Sequence, residues 1–315
     1  MEMQPKVDIL LGTYNGEKYL PELLKSLEEQ TFKNWKLIIR DDGSQDRTFD
    51  IIKTFEKKYP QKVFIISDND KNLGACKNFL RILEFSQGDY IFFCDQDDYW
   101  LPEKIQKMLD KARKVEEKFN SIPFLIHCDL KVVDENLKLI SPSFWKYQFI
   151  KPDYCKTLPK LLVTNSVTGC ATLINRELKN LIVPAPDGVV MHDWWCALVA
   201  SAFGKIFWIP ESLVLYRQHG KNDVGAKEWN LSYILKKALN FYERESLLKG
   251  FNLTIQQANV FYNKYREALN TEHRKIVEAY INLPKEGFIK KRISILKHRF
   301  LRTGLIRNIG FLLRI

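Results

Sequence analysis

The chain reads as an α/β protein, with a mostly parallel central sheet flanked by helices and a helical C-terminal region. Three observations lead there. Through the first hundred residues, apolar β-type runs alternate with segments of helical periodicity. The connections between them are short, as in sheets whose strands are linked by crossover helices. Past residue 230 the strand signal gives way to apolar stripes at helical spacing. Ligands of such sheets bind beyond the carboxyl ends of the strands. The polar clusters that follow the first, second and fourth strands are therefore expected along one edge.

Each element follows from its local pattern. The apolar run at 7–13 is a strand, and Tyr19, Leu20, Leu23, Leu24 and Leu27 then recur at helical spacing. Residues 36–40 form a second strand ending at Asp41-Asp42-Gly43-Ser44. A helix over 46–59 carries Ile51, Ile52 and Phe55 on one face. A third strand at 63–67, a helix at 75–86 and a fourth strand at 90–94 follow. Pro102 then opens a long amphipathic helix, at a position where its missing N–H costs nothing. From 120 to 220 the pattern is mixed, with short strands at 124–128, 207–209 and 213–216. Beyond it, Leu231, Ile234, Leu235, Ala238, Leu239 and Tyr242 make one helical stripe, and Ala258, Phe261, Tyr262, Tyr265 and Leu269 another. The chain divides into 1–225, a helical region 226–284 and a tail 285–315.

Composition narrows the classes. With 45% hydrophobic residues and 28% charged, the chain is neither disordered nor collagen-like. The six cysteines lie at least fifteen residues apart, so no CxxC zinc or redox pair exists. The N-terminus lacks a secretory pattern, and the most apolar stretch, 194–203, is about half of what a bilayer span needs. A cytoplasmic protein is expected. The formal net charge of +11 calls for an anionic partner. Most of that excess is local, because residues 285–315 hold nine Lys or Arg and a single acid, Glu286. Ile289, Ile293, Leu296 and Phe300 fall on one helical face of this tail, and Gly304 and Gly310 suggest a break. An amphipathic basic helix lying on an anionic membrane surface fits the pattern. So does a helix packed on the body with its basic side solvated.

Three acidic or polar clusters carry the chemistry. Cys94-Asp95-Gln96-Asp97-Asp98-Tyr99-Trp100 follows an apolar strand, and three carboxylates within four residues repel one another. A divalent cation would explain their clustering, since hard cations take carboxylate oxygens. The alternative is a polar loop leading into the helix at Pro102, with Asp98 favoured by the helix dipole. In the second turn, Asp41-Asp42-Gly43-Ser44, Ser44 or Asp46 offers a helix cap and Gly43 a positive φ. The first, Gly12-Thr13-Tyr14-Asn15-Gly16-Glu17, offers a stacking ring and hydrogen-bonding groups. It matches neither GxGxxG nor a Walker loop, which argues against dinucleotides and ATP-type phosphate loops. His127 and Cys128 read as core residues.

Together, VDILLGTYN at 7–15, IIRDDGSQD at 38–46, Asn72-Leu73-Gly74 and GDYIFFCDQDDYWLP at 88–102 resemble the family 2 inverting glycosyltransferases. Their fold is the Rossmann-like nucleotide-sugar-binding GT-A fold, and the likeness spans roughly residues 5–220. DQDDYW at 95–100 and LYRQHGKNDVGA at 215–226 look most like bacterial rhamnosyltransferases of surface-polysaccharide synthesis, which use dTDP-L-rhamnose.

The resemblance implies roles. Thr13 and Tyr14 flank the nucleotide base, Tyr14 stacking on it, with Asn15 in the same donor-binding loop. Asp42, or Asp41 beside it, receives the pyrimidine imide N–H. Lys77 sits where relatives carry an arginine near the base or diphosphate. Asp95 faces the ribose or the metal, Asp97 binds the metal (Mg²⁺ or Mn²⁺), and His219 completes its shell. Asp193, in Met191-His192-Asp193-Trp194-Trp195, matches the catalytic base, with His192 where Glu is frequent. Trp194 and Trp195 are placed to stack on an acceptor sugar, or to start an apolar core helix, and Thr168-Gly169-Cys170 lies beside the donor. The implied partners are a nucleotide-sugar donor (dTDP-rhamnose or a UDP-sugar), a saccharide or lipid-linked saccharide acceptor, and the inner face of the cytoplasmic membrane. Nucleic acid is disfavoured, because the sheet edge is acidic and the positive charge lies in the tail. The rival readings are a UDP-hexose transferase of the same family and a non-catalytic sugar-nucleotide-binding protein.

Overall fold

A computed structural model describes residues 5–68, 72–154, 156–220 and 243–315, with backbone alone at 243–246. The stripe at 231–242 and the end of the 215–226 segment lie outside the described residues. Strands β1 (Val7–Thr13), β2 (Trp35–Asp41), β3 (Val63–Ile65) and β4 (Tyr90–Asp95) alternate with helices α1 (Leu20–Glu28), α2 (Thr48–Lys58) and α3 (Ala75–Phe85). These four strands are parallel, in the order β3-β2-β1-β4. Thr13 lies opposite Asp41, and Gly12 opposite Asp95, so the carboxyl ends of three strands share one edge as expected.

Beyond β4 the sheet is mixed. The order continues β4-β8-β6-β9-β5, from β5 (Tyr99–Trp100), β6 (Phe124–Val133), β8 (Thr172–Asn175) and β9 (Lys205–Arg217), with β7 (Leu139–Ser141) paired to β6. Strands β4 and β8 run antiparallel, as do β8 and β6, whereas β6 and β9 are parallel. The expected mostly parallel sheet therefore holds for the first half only. The two short strands at 207–209 and 213–216 are one long strand, and the register shift against β6 near Cys128 and Asp129 accounts for the interruption in its pattern.

Both faces of the sheet are covered, so its central strands are apolar on both sides. Ile9, Leu11, Leu37 and Phe92 pack with α1, α2 and α4 (Lys104–Phe119). Leu10, Ile38, Ile91 and Phe93 pack on the other side, with α3, α7 (Arg176–Ile182) and α8 (His192–Phe203). Two short helices, α5 (Phe144–Gln148) and α6 (Leu158–Val163), precede these. The second core continues into α9 (Glu243–Tyr265), α10 (Thr271–Asn282), α11 (Phe288–Lys297) and α12 (Leu305–Arg314).

The tail packs on the body and also leaves an apolar face in solvent. Ile295, Phe300 and Phe311 are buried, Phe300 against Tyr280 at 4.9 Å and Phe311 against Phe251 at 6.1 Å between ring centroids. Phe288, Ile289, Ile293 and Leu296 on α11, and Leu305, Ile306, Ile309 and Leu313 on α12, are exposed. Phe300 thus leaves the face expected for it. The helix stops at Lys297, Arg299 takes a left-handed φ of 58°, and the chain folds Phe300 back into the core.

Candidate active site

Three loops at the carboxyl edge are stitched by side chains. The Thr13 hydroxyl donates to Asp41 Oδ1 at 2.8 Å. Thr13 is buried, and its side chain sets Asp41. Asn15, at φ 48°, accepts from the Gln45 N–H at 2.8 Å, and its own N–H donates to Ser44 Oγ at 2.8 Å. The Gln96 amide accepts from Tyr14 N–H and donates to Tyr14 O, both at 2.9 Å, which ties the first loop to the acidic one. The Tyr14 ring is left 48% exposed at the rim, free to stack.

The two neighbouring acids differ in what they have left to offer. Asp42 is buried, and its oxygens accept from Arg40 Nη1 at 2.7 Å and from the Leu73 and Gly74 N–H groups at 2.8 Å. These three donors anchor the Asn72-Leu73-Gly74 loop and leave Asp41 as the less engaged acceptor of the two. Asp41 is half-buried, and among the described residues its Oδ2 accepts the Ser44 N–H alone, at 2.8 Å. Lys77, in the first turn of α3, pairs with Asp187 at 2.8 Å, linking α3 to the loop that leads to Asp193.

The acidic loop is held from several sides. Asp97 Oδ2 lies 2.8 Å from His219 Nε2, joining two residues 122 positions apart. Pairing of Tyr99 with Leu215 across β5 and β9 delivers His219 there. Burial, and then Asp97 and Asp193, push the Asp95 carboxyl up to about 7. Asp98 is fully buried, with one oxygen accepting from Arg217 N–H at 3.1 Å. Its pKa is raised well above the usual range, first by burial and then by Asp97 and Asp95.

This donor set fits a hard divalent cation. Carboxylates that suppress one another's ionisation are relieved by a positive charge among them, and Asp95, Asp97 and His219 would offer O and N ligands. Among the described residues, the group whose ligand atoms all lie within 4.8 Å of one another is Asp95, Asp98 and Cys170. That trio is the poorer set for Mg²⁺ or Mn²⁺, because burial keeps the Cys170 thiol protonated. Beneath the loop, buried Lys104 donates to Cys170 O at 2.5 Å and sits over the Trp100 ring. Burial lowers its pKa to about 8.

Asp193 stands in the first turn of α8, where backbone N–H groups and the helix dipole favour an anion. It accepts from Asn165 Nδ2 at 3.1 Å, Gly169 N–H at 3.0 Å and Trp194 N–H at 2.6 Å. Burial still outweighs these donors and raises its pKa to about 7. Thr168-Gly169-Cys170 thus touches Asp193 directly. His192 is buried and stacked on Phe79 at 4.2 Å, and among the described residues neither ring nitrogen finds a hydrogen-bond partner. Burial drives its pKa to about 3, so it is neutral and adds no charge beside Asp193. Trp195 is fully buried against Phe261 and Tyr265, which corrects its place as an acceptor platform. Trp194 stays partly exposed, its indole donating to Leu161 O at 2.6 Å. His127 and Cys128 are core residues as expected.

Sequence reasoning missed Arg217, Lys104, Gln96 and Asn165. Arg217 and Gln96 lie inside motifs already singled out, so adjacency was the available signal. The Lys104–Cys170 and Asn165–Asp193 contacts offered none, because those partners are distant in sequence.

Solved structures place this architecture in a class. The S. aureus TarS 1–349 structure with UDP-GlcNAc superposes with a TM-score of 0.52 at 15% identity, covering 93% of this chain and 89% of that one. The mannosyltransferase PcManGT from Pyrobaculum calidifontis, with GDP-Man and Mn²⁺, gives 0.53 at 14%, covering 95% and 80%. The fold is thus that of the GT-A glycosyltransferases. Residues 8–178 match the family described as Glycosyl transferase family 2, and the chain belongs to that family. It is 30% identical over 251 residues to the dTDP-rhamnosyl transferase RfbG of Shigella flexneri, spanning 76% of this chain and 79% of that protein.

Proposed function

We propose that this glycosyltransferase is metal-dependent and inverting. It moves L-rhamnose from dTDP-L-rhamnose to a saccharide on a membrane lipid, at the cytoplasmic face of the membrane, in surface-polysaccharide synthesis. The observation that carries the reading is geometric. The Gly169 N–H donates to Asp193 at 3.0 Å, and the next residue, Cys170, has its thiol within 4.8 Å of ligand atoms of Asp95 and Asp98, so the proposed base and the proposed donor-site acids adjoin one turn. The rhamnosyl donor rests on the likeness to RfbG.

Asp193 takes the proton of the acceptor hydroxyl as that oxygen attacks the anomeric carbon. The bond from that carbon to the diphosphate oxygen breaks in line, and the nucleoside diphosphate leaves with the electron pair. A pKa near the working pH suits this role. Asn165, Gly169 and Trp194 hold the carboxylate in place. Tyr14 stacks on the base, and Asp41, in place of Asp42, accepts the imide N–H. Asp95, Asp97 and His219 hold the cation, which when bound neutralises charge on the leaving diphosphate. The part-exposed Trp194 faces the acceptor.

The tail supports the membrane partner. Among the described residues no helix is long and apolar enough to cross a bilayer. The exposed apolar faces of α11 and α12 lie among nine cations and one acid, the pattern of a helix pair lying in an anionic interface.

A thermal-shift screen of dTDP-rhamnose and UDP-hexoses, with and without Mn²⁺, tests the donor. A true donor at 100 times its Kd adds about 2.7 kcal/mol of stability. Stabilisation by dTDP-rhamnose with Mn²⁺ is expected. Stabilisation by a UDP-hexose alone moves the reading to a sister transferase, and none at all refutes the donor site.

A further inference from the structure

Arg217 is the largest charged side chain buried in the acidic corner, and the mechanism above leaves it without a task. It ends β9, is 2% exposed, and reaches three separate segments. Its Nε donates to the backbone carbonyl of Asp97 at 2.8 Å. Nη1 donates to Glu135 O, in the turn between β6 and β7, and Nη2 pairs with Glu22 of α1. Its own N–H donates to Asp98 Oδ1 at 3.1 Å. The guanidinium also lies over the Tyr19 ring, 4.6 Å from its centroid. The other side of the arrangement is His219, whose ring stacks on the same Tyr19 at 4.8 Å and 24°, with Nε2 2.8 Å from Asp97 Oδ2.

We propose that Arg217 is a positioning residue for the cation site. One planar fork fixes the backbone of the Asp97 turn directly and the ring of His219 through Tyr19. Only arginine can do this. Its donors point in several fixed directions within a plane, and its face stacks on an aromatic ring. A lysine is a single point charge that satisfies one or two of these partners. Burying a guanidinium demands full pairing, and here the pairing groups are the supports of the two ligands. The arrangement comes before the cation, so it lowers the ordering cost of binding.

This inference rests on the cation reading of Asp95, Asp97 and His219. The test measures Mn²⁺ binding to the full chain by electron paramagnetic resonance, with and without dTDP, which separates affinity from turnover. Arg217→Lys is expected to weaken Mn²⁺ binding about 10- to 100-fold, the usual effect of losing an outer support. Tyr19→Leu is expected to weaken it in the same direction, and Tyr19→Phe, which keeps the ring, to restore it. The Tyr19 pair decides the matter if Arg217→Lys does not fold. Wild-type affinity in both Arg217→Lys and Tyr19→Leu overturns the inference, even if their melting temperatures fall. No Mn²⁺ binding by the wild-type chain overturns the cation reading and this inference together.

Discussion

Asp193 owes its raised pKa to burial, since the three donors around it act in the opposite direction, and that suits the proposed role of base. A base must be ionised, so kcat/KM should rise with pH through about 7 and level off above it. The stability consequence has the other sign. A carboxyl raised from 3.8 to about 7 adds most to stability below its ordinary value, and that part is lost as pH rises through about 7. Asp193→Asn should therefore flatten this part of the pH–stability curve and cut transfer by about 10²- to 10⁴-fold. Donor affinity should stay near wild type, and a loss confined to affinity would move the base elsewhere. At Asp41 and Asp42 the two-residue motif is legible, but the division of labour is not. It depends on which carboxylate the Leu73 and Gly74 N–H groups capture, a contact 31 positions away. Asp42→Ala should cost on the order of 3 kcal/mol, because Arg40 and two N–H groups lose a buried acceptor. Asp41→Ala should mainly raise the donor Kd. Urea melts and donor titration separate the two, and the reverse pattern would restore Asp42 to the base.

Elements with a strong period were readable within a residue or two, as at β1, which spans Val7–Thr13 in both sequence and structure. Elements defined by pairing were not. Strand β5 is two residues long and exists because Tyr99 and Trp100 find Leu215 and Val214. Trp195 belongs to the same lesson, since its neighbours Phe261 and Tyr265 come from a helix far along the chain. The 3₁₀ turn Gly169–Ala171 is the element most sensitive to a small change. A Cβ at Gly169 would sit 2.7 Å from His192 Nε2 and 3.7 Å from Asp193 Cβ. His192 is wedged between Phe79 and Phe93 and cannot step aside cheaply. Gly169→Ala should then displace the Gly169 N–H from Asp193 and lower kcat about tenfold or more, with the donor Kd held. Unchanged kcat would show that this hydrogen bond does not set the carboxylate.

At the scale of the whole molecule, most of the charge of +11 belongs to the tail, whose nine cations and one acid leave only +3 to residues 1–284. The tail's anchoring is structural. Phe300 and Phe311 close over Tyr280 and Phe251, so truncation after residue 284 should uncover that core and lower the melting temperature. Removing the tail therefore cannot test membrane binding cleanly, and substitutions on its exposed face can. On α12, Leu305, Ile306, Ile309 and Leu313 project away from buried Phe311, so they can enter a bilayer without leaving the core. Arg307 Nη2 donates to Gln148 O at 2.8 Å, setting α12 against α5 beside exposed Phe149. Helix α5 follows β7, which pairs with the carboxyl end of β6, so this surface adjoins the catalytic edge. Each cation near an anionic surface adds about 1 kcal/mol, so Lys290→Ala with Lys291→Ala should weaken partitioning onto phosphatidylglycerol vesicles by about 30-fold. Binding to neutral vesicles should change little. Leu305→Ser with Ile309→Ser should weaken binding to both, since an apolar side chain is worth about 1.5–3 kcal/mol when buried. All four substitutions are remote from Asp193, so transfer to a soluble acceptor should be unaffected. Vesicle flotation that is the same for wild type and both double variants would reject the membrane surface. A dimer–monomer shift in the Leu305/Ile309 variant, with no vesicle binding by the wild type, would instead assign the apolar face to a second copy of the chain.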